Sequence, residues 1–310
     1  MMRLIAYRLL QLPLILAIIY VITFLLVWVA PGDPFAGERN IDPAVVENLK
    51  KTFHADSALG FLTYYPVQIL LHGNFGQSMQ YKEWTVNDII RSALPVSVLL
   101  GLVAMTIATT VGVFIGTMAA VRRGGVVDWL SLSVALIGIS LPSFVMAALL
   151  LMLSASGPLQ GVFAVGRFDR PIDVLLPGVA LALAPMAYIA RLTRVSMLDV
   201  LSSDFVRTAR AKGLGRSPII WKHCLKNAIL PVLSYLGPAA AYTLTGSFVV
   251  EKVFNIPGLG QHFVNSVLNR DRTLILGVVL VYSAFVLVFN LLVDLAYGLV
   301  DPRIDLGGAQ

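Results

Sequence analysis

Long unbroken runs of apolar residues, separated by shorter polar segments, dominate the chain. A helix needs roughly 20 apolar residues to cross the hydrocarbon layer of a membrane, and only helices or closed barrels satisfy their backbone hydrogen bonds there. Membrane-spanning strands alternate apolar and polar positions, and these runs do not, so the pattern predicts an all-α membrane protein. Six spans are predicted, at about Leu9–Ala30, Leu94–Val121, Trp129–Leu153, Val174–Ala190, Ala228–Val250 and Leu274–Leu299.

The composition agrees with a chain that is solvated by lipid. Hydrophobic residues make up 57% of the sequence, charged residues only 13%, and the mean hydropathy is +0.82, whereas soluble domains carry about 25% charged residues. The first apolar run is too long for the hydrophobic core of a signal peptide, and Val27-Trp28-Val29-Ala30-Pro31 is a poor cleavage site. We therefore expect this run to be a retained membrane anchor.

The distribution of Lys and Arg orients the spans, because cytoplasmic segments of membrane proteins carry an excess of both. With the N-terminus in the cytoplasm, the cytoplasmic segments hold 13 of the 23 basic residues and five acidic ones. The opposite side then holds 10 basic and 11 acidic residues, and Asp294 lies inside the last span. The charge pattern predicts that both termini are cytoplasmic.

Two long connections separate the predicted spans, residues 31–93 on the outside and residues 191–227 on the inside. The inside connection contains a basic stretch, residues 199–227, which is called the 199–227 segment below. We expect three parts, which are a first span with a long external loop (1–93), a five-helix core that includes the 199–227 segment (94–300), and a cytoplasmic tail (301–310).

The 199–227 segment has the pattern of two short amphipathic helices joined by a glycine turn. Ser202, Phe205, Val206 and Ala209 form a small or apolar stripe at helical spacing. Residues 212–215, Lys-Gly-Leu-Gly, supply glycines that end a helix in a left-handed turn. Ser217-Pro218 then has the pattern of an N-cap followed by proline at the first helical position. The second helix is expected to carry Ile220, Trp221, Cys224 and Leu225 on one face and Lys222 and Lys226 on another.

A basic helical segment of this kind has three interpretations. It is a solvated loop that obeys the charge rule, a pair of helices that lies on anionic lipid, or a docking element for a soluble partner. Spacing alone does not separate these three.

The residues from Arg207 to Leu214 add a motif to this segment. They read Arg-Thr-Ala-Arg-Ala-Lys-Gly-Leu, and Ile229-Leu230-Pro231 follows them. The pattern resembles the coupling motif of permease subunits in ATP-binding-cassette importers, in the form typical of the oligopeptide/dipeptide branch. The general motif opens with Glu-Ala-Ala and reaches its Leu-Pro pair sooner after the glycine. Here Arg207 stands at the acidic position, as is typical of the peptide branch.

The resemblance covers nearly the whole chain. Further motifs of the branch follow in order at residues 139–144, 250–260, 290–294 and 301–303. The external loop, at residues 30–39, 72–76 and 81–88, looks most like that of B-type permeases of oligopeptide importers.

The resemblance implies a six-helix, type I importer permease in the bacterial cytoplasmic (inner) membrane. The implied partners are the lipid bilayer, a second related permease, two cytoplasmic ATPase subunits and a peptide-binding protein. ATP and magnesium are expected on the ATPase subunits, since this chain lacks a Gly-x-x-x-x-Gly-Lys-Ser/Thr loop. The implied substrate is an oligopeptide, and dipeptides, nickel chelates or other small substrates of the branch stay open. The implied ATPase-docking residues are Arg207, Thr208, Ala209, Arg210, Ala211, Lys212, Gly213, Leu214 and Gly215.

Nothing in the sequence argues for catalysis, for a cofactor or metal in this chain, or for a nucleic-acid partner. Cys224 is the only cysteine, and the four histidines are far apart and lack ligand spacing. No Ser/His/Asp or Cys/His pattern is present. We therefore expect a transport subunit and not an enzyme.

Two further sets of residues are candidates for the transport path. Polar side chains on the fifth span are expected to line a water-filled path, namely Ser234, Tyr235, Tyr242, Thr243, Thr245 and Ser247. A weakly selective polar lining suits peptides, which vary in side chain but share a backbone. Just outside this span, Glu251, Pro257 and Gly258 are candidates for an external gate.

Asp294 and a glycine pair carry the remaining hypotheses. A carboxylate inside a span defaults to a functional role such as a proton relay, which fits an ion-coupled secondary transporter as the alternative function. Asn290 lies four residues before Asp294 on the same face, and a hydrogen-bonded packing contact is the favoured role. Gly112 and Gly116 predict close packing of the second span, within the chain or against a second permease. A purely structural subunit is the third possible function.

Overall fold

The computed structural model describes residues 2–31, 47, 57–81, 83–156, 160, 163, 168 and 170–300. Parts of the predicted motifs, namely residues 32–39, residue 82 and residues 301–303, and the expected cytoplasmic tail 301–310, lie outside these residues. In the described part every regular element is helical, apart from an isolated antiparallel bridge between Gln77 and Thr85. The helices are α1 (Met2–Val29), α2 (Ala58–His72), α3 (Val86–Val121), α4 (Val126–Ser140), α5 (Ser143–Ser156), α6 (Leu175–Leu201), α7 (Asp204–Ala211), α8 (Arg216–Ala228), α9 (Leu230–Phe254), α10 (Leu259–Asn269) and α11 (Arg272–Val300).

The predicted all-α membrane fold is confirmed, and the six spans take two forms. Within the described residues, four continuous helical stretches are long and apolar enough to cross a membrane, namely Arg8–Val29, Val86–Val121, Pro171–Leu201 and Arg272–Leu295. Two bent helix pairs pass the same test, α4 with α5 (bent by 105°) and α8 with α9 (bent by 56°). Counting each pair as one span gives the six that the sequence predicts.

The prediction of one continuous third span, Trp129–Leu153, is wrong at its centre. The helix ends at Ser140 and restarts at Ser143, around Leu141 and Pro142. Proline has no N–H to donate and clashes with the preceding turn, and the residue before it is driven to extended backbone. Leu141 adopts that conformation, with φ −91° and ψ 123°.

The chain divides into two compact units, residues 1–5, 98–256 and 288–310 in the first and residues 6–97 and 257–287 in the second. The second unit therefore joins the N-terminal part to residues 257–287, which the expected three-part division kept within the core.

In the first unit, α6 packs against α4, α5 and α9. Gly112 and Gly116 of α3 let that helix approach α6 closely. A Cβ at Gly112 would lie 2.8 Å from the Met186 carbonyl oxygen, and one at Gly116 would lie 2.3 Å from the Ala190 carbonyl oxygen. The predicted small-residue contact is thus made within the chain.

In the second unit, an aromatic cluster holds α1 against α2. Its rings, with centroids 5.4 to 6.3 Å apart, belong to Tyr20, Phe24, Trp28, Phe61 and Tyr65. The Tyr20 hydroxyl donates to the Leu62 carbonyl oxygen at 3.0 Å. The guanidinium of Arg272 lies 4.5 Å from the Trp28 ring centroid, a cation–π contact.

Asp271 ties the start of α11 to the loop before α3 in the same unit. It is fully buried, and its Oδ1 accepts from the Leu274 amide at 3.0 Å, which caps the helix. Its Oδ2 accepts from the Ser78 hydroxyl and from the Gln80 amide. These bonds satisfy a carboxylate that would be costly to bury alone.

Candidate functional site

The 199–227 segment folds as two short helices joined by a glycine turn, as predicted. The first, α7, ends with Gly213 in the left-handed region at φ +77°. The Leu214 amide donates to the Ala209 carbonyl oxygen at 3.2 Å, and the Gly213 amide donates to the Arg210 carbonyl oxygen at 2.9 Å. This pair of bonds is the Schellman arrangement, which fixes the direction in which the chain leaves the helix.

The second helix, α8, begins two residues earlier than the sequence predicts. Its first residue is Arg216 and its N-cap is Gly215, with no side-chain cap, so the prediction of Ser217 as the N-cap is wrong. Pro218 falls within the first turn, where backbone amides have no helical partner in any case. Residues Ile219–Cys224 form a π-helical turn, a feature frequent at functional sites.

The buried side of the segment packs on the ends of two spans. Val206, Ile219, Ile220 and Cys224 are buried, at no more than 7% exposed, together with Ala120 of α3 and Met197 of α6. The Arg216 guanidinium donates to the Val121 carbonyl oxygen at 3.2 Å and so caps α3. The segment is therefore fixed to the ends of α3 and α6 by close packing and by this hydrogen bond.

The exposed side of the segment carries the residues that are predicted to dock an ATPase. All of residues 207–215 are exposed except Ala209, which is half-buried. Arg207 and Asp204 form an ion pair at 3.5 Å with both side chains largely exposed, and such pairs contribute little to stability. The surface formed by residues 207–215 is called the docking surface below.

The side chain of Phe205 is more exposed than the sequence predicts. The sequence places it on the packed stripe with Val206, yet its side chain is 42% exposed while Val206 is buried. Successive helical residues are about 100° apart, so a short helix whose packed face is centred on Val206 turns Phe205 away. Phe205 and Leu214, also 42% exposed, add apolar area beside the cationic residues, and sequence reasoning did not assign Phe205 to this face.

A cleft of about 520 Å³ opens beside the turn. It is lined by Val121, Leu201, Arg210, Leu214, Arg216, Ile219 and Ile220. Its walls combine aliphatic side chains with two guanidinium groups, so it is suited to a partner surface that is apolar and carries a carboxylate.

An ion pair that the sequence did not reveal anchors α6 close to the segment. Arg194 donates through Nε to Asp128 Oδ1 at 2.5 Å and through Nη2 to Oδ2 at 2.9 Å. The Gly124 amide donates to the same carboxylate at 2.9 Å. Arg194 lies one turn before Met197, which packs on the segment. The partners are 66 residues apart in sequence, and no local pattern links them.

The predicted path residues on α9 divide into two sets. Ser234, Tyr242 and Thr245 are exposed and share one face of the helix, whereas Thr243 and Ser247 are buried. Ser247 donates to the Leu244 carbonyl oxygen within the helix, so the structure does not bring it to the exposed face. Tyr235 is half-buried, and its ring centroid lies 4.3 Å from that of Tyr188 on α6. No pattern in the sequence pointed to Tyr188.

The predicted gate residues lie at the end of α9 and the start of α10. Glu251, in the last turn of α9, is fully buried, and its carbonyl oxygen accepts from the Ile256 amide at 2.8 Å. Pro257 is exposed, and Gly258 is the N-cap of α10. Within the described residues, no cluster of three or more His, Cys, Asp or Glu is placed to hold a metal ion.

Comparison with known proteins places this chain among transport proteins. Residues 112–306 match the family model described as binding-protein-dependent transport system inner membrane component. The chain is 44% identical over 289 residues to the dipeptide transport system permease protein DppB of Bacillus subtilis (strain 168), with 93% of each chain covered. It is 42% identical over 305 residues to the oligopeptide transport system permease protein OppB of Salmonella typhimurium, covering 98% of this chain and 99% of that protein.

Among solved structures, the chain is similar to one described as an amino acid ABC transporter with histidines. The TM-score is 0.47 at 21% identity, and the match covers 70% of this chain and 94% of that one. The residues matched by the family model contain the entire 199–227 segment.

Proposed function

The chain belongs to the family of binding-protein-dependent transport system inner membrane components, and from this we propose that it is the permease subunit of an ATP-driven peptide importer. As a member of that family it is a membrane-spanning component of the bacterial inner membrane and not an enzyme. Its task is to provide part of the path along which peptides, delivered by a binding protein, cross the membrane.

The observation that supports this proposal is that the 199–227 segment has one buried side and one exposed, cationic side. One side is buried against α3 and α6. The other presents the cationic docking surface, which includes the exposed Leu214, and Phe205 is exposed beside it. A cytoplasmic ATPase subunit that grips the docking surface moves a segment already fixed to two spans. Closure of the ATPases around ATP is thereby converted into a rearrangement of spans.

The proposed importer contains three kinds of partner besides this chain. A second related permease completes the path, two cytoplasmic ATPase subunits hold ATP and magnesium, and a peptide-binding protein docks outside. The excess of Lys and Arg supports a cytoplasmic position for both termini and for the docking surface. Glu251, Pro257 and Gly258 then lie at the outer end of the path, where they contribute to a gate.

The exposed face of α9 is proposed as path lining. It carries the hydroxyl groups of Ser234, Tyr242 and Thr245, and two of these donate to carbonyl oxygens of their own helix. Their oxygens keep lone pairs that accept hydrogen bonds from peptide amides. Such a lining recognises main chain in preference to side chain.

Dipeptides are a second candidate substrate class. The dipeptide permease relative is 44% identical to this chain and the oligopeptide permease relative is 42% identical, so the relatives support both lengths. Uptake of labelled di-, tri- and pentapeptides by the reconstituted importer separates the two, since an oligopeptide importer takes up the pentapeptide and a dipeptide importer does not.

The direct test purifies the intact complex from membranes and reconstitutes it in liposomes with its binding protein. We expect an ATPase to co-purify and its ATP hydrolysis to rise when peptide-loaded binding protein is added. Leu214→Asp places a carboxylate in the docking surface and should release the ATPase, whereas Arg91→Gln, on exposed surface in the second unit, should not. Peptide uptake driven by an ion gradient without ATP would instead establish a secondary transporter.

A further inference from the structure

Trp221 of α8 forms an aromatic stack that lies outside the docking surface. Its ring centroid is 6.0 Å from that of Phe114 of α3, with an interplanar angle of 14°. Both side chains stay substantially exposed, Trp221 at 40% and Phe114 at 54%. The stack therefore joins the outer surface of a membrane span to the outer surface of α8.

The position of Phe114 sets the depth of this stack in the membrane. Phe114 lies seven residues before Val121, where α3 ends and Arg122 and Arg123 follow. At 1.5 Å per residue the ring is about 10 Å from the helix end, within the apolar candidate span. The exposed surface of Phe114 thus continues the lipid-facing surface of α3. Trp221 extends that surface on the side of the helix end, and Trp is enriched where acyl chains meet headgroups.

Two exposed lysines accompany the indole. Lys222 is adjacent to Trp221, and Lys226 follows one helical turn later. The opposite side of the same helix, with Ile220 and Cys224, is buried against α3 and α6. The lysines therefore cannot turn inward, and their long apolar stems allow the ammonium groups to reach the headgroup layer. Basic side chains at this level attract anionic lipids.

We propose that Trp221, Lys222 and Lys226 form a binding site for an anionic phospholipid. The indole contacts the upper acyl chains and glycerol region beside Phe114, and the two ammonium groups contact the headgroup phosphate. A lipid held there fixes α8 against α3 and so stiffens the connection between the docking surface and the spans. This proposal rests on α3 crossing a membrane and does not require that the docking surface bind an ATPase.

The test measures lipid retained by the intact complex in nanodiscs. The discs contain phosphatidylcholine with or without phosphatidylglycerol, and native mass spectrometry counts the lipid that stays bound. We expect the wild type to retain phosphatidylglycerol, and Lys222→Gln/Lys226→Gln to weaken that retention roughly thirtyfold, because each of the two basic residues near the surface contributes about 1 kcal/mol. The matched control Arg91→Gln/Arg270→Gln removes two exposed cations from the second unit and should leave retention unchanged.

A second measurement distinguishes lipid from protein as the occupant of the stack. p-Benzoylphenylalanine replaces Trp221, and the complex is irradiated in phosphatidylglycerol nanodiscs. Adducts of phospholipid mass support the proposal. Crosslinks to a second permease, or retention of phosphatidylglycerol that the lysine double variant does not lower, would overturn it. Neither result bears on ATPase co-purification, so this proposal and the proposed function fail separately.

Discussion

At the scale of single residues, the glycines of α3 show how closely the spans approach. A Cβ on Gly116 would lie 2.3 Å from the Ala190 carbonyl oxygen and 2.7 Å from Thr193 Cβ. Backbone and a β-branched side chain cannot yield cheaply, so the helices must separate. We expect Gly116→Ala to lower the free energy of unfolding by about 1–3 kcal/mol, the usual cost of overpacking.

Thermal unfolding of the purified complex in detergent measures this cost. The matched control is Gly101→Ala on the same helix, where the new Cβ would lie 3.4 Å from Leu244 Cδ2, an ordinary contact with a flexible side chain. Equal melting temperatures for the two variants would contradict the close approach of α3 to α6.

The Asp128–Arg194 pair makes a second prediction at the residue scale. The two side chains are 6% and 19% exposed, so replacing the carboxylate leaves a largely buried guanidinium without its counter-charge. We expect Asp128→Asn to cost about 3 kcal/mol, in the range measured for one broken partner of a buried pair. Asp204→Asn, which breaks the exposed pair with Arg207, should cost roughly 0.5 kcal/mol. Urea or thermal unfolding compares the two, and similar losses would contradict the role of burial.

At the scale of elements, prolines show what local sequence can and cannot predict. Pro13, Pro95, Pro185 and Pro238 lie inside continuous helices, whereas Pro142 breaks its helix with a 105° bend. Membrane helices tolerate proline when neighbouring groups satisfy the freed carbonyl. The outcome depends on those neighbours, so a proline alone does not predict a break.

The 199–227 segment was more predictable because its signals are local. The glycine turn after α7 follows from the steric freedom of glycine in the left-handed region. The buried pair Ile220 and Cys224 follows from helical spacing. The predicted start of α8 was wrong by two residues, because Gly215 occupies the cap that Ser217 was expected to fill. Arg194 and Asp128, which meet across 66 residues, had no local signal at all.

The turn itself makes the prediction for this scale. Gly213→Pro fixes φ near −65° where the native value is +77° and removes the amide that donates to Arg210. We expect the complex to insert and assemble, but ATP hydrolysis to lose its coupling to peptide uptake. Gly213→Asn, which tolerates the left-handed region, should cause a smaller loss. The ratio of peptide transported to ATP hydrolysed in proteoliposomes measures both effects. A normal ratio for Gly213→Pro would contradict the role of this turn in coupling.

At the scale of the whole molecule, apolar run length predicted the number of spans, since crossing the hydrocarbon layer demands it whatever the neighbours are. Run length does not predict which parts of the chain pack together in each of the two units. Residues 257–287 join the N-terminal part through contacts such as Ser78 with Asp271, which are 193 residues apart. Contacts between residues so far apart in the sequence depend on tertiary packing, and the hydrophobic pattern of a single sequence does not predict them.

Membrane sidedness is the last prediction, and it decides whether the docking surface can meet an ATPase. The native cysteine, Cys224, is buried, so Cys224→Ala should give a folded background for single-cysteine mapping. In that background Lys212→Cys probes the docking surface, and Asn269→Cys, exposed at the end of α10, probes the opposite side. A membrane-impermeant maleimide should label Asn269→Cys in intact spheroplasts and Lys212→Cys only in inverted vesicles, because the excess of Lys and Arg keeps the 199–227 segment inside. Labelling of Lys212→Cys from outside would place the 199–227 segment on the side of the membrane that has no ATP. The docking surface could then not bind a cytoplasmic ATPase, and the proposed coupling would be impossible.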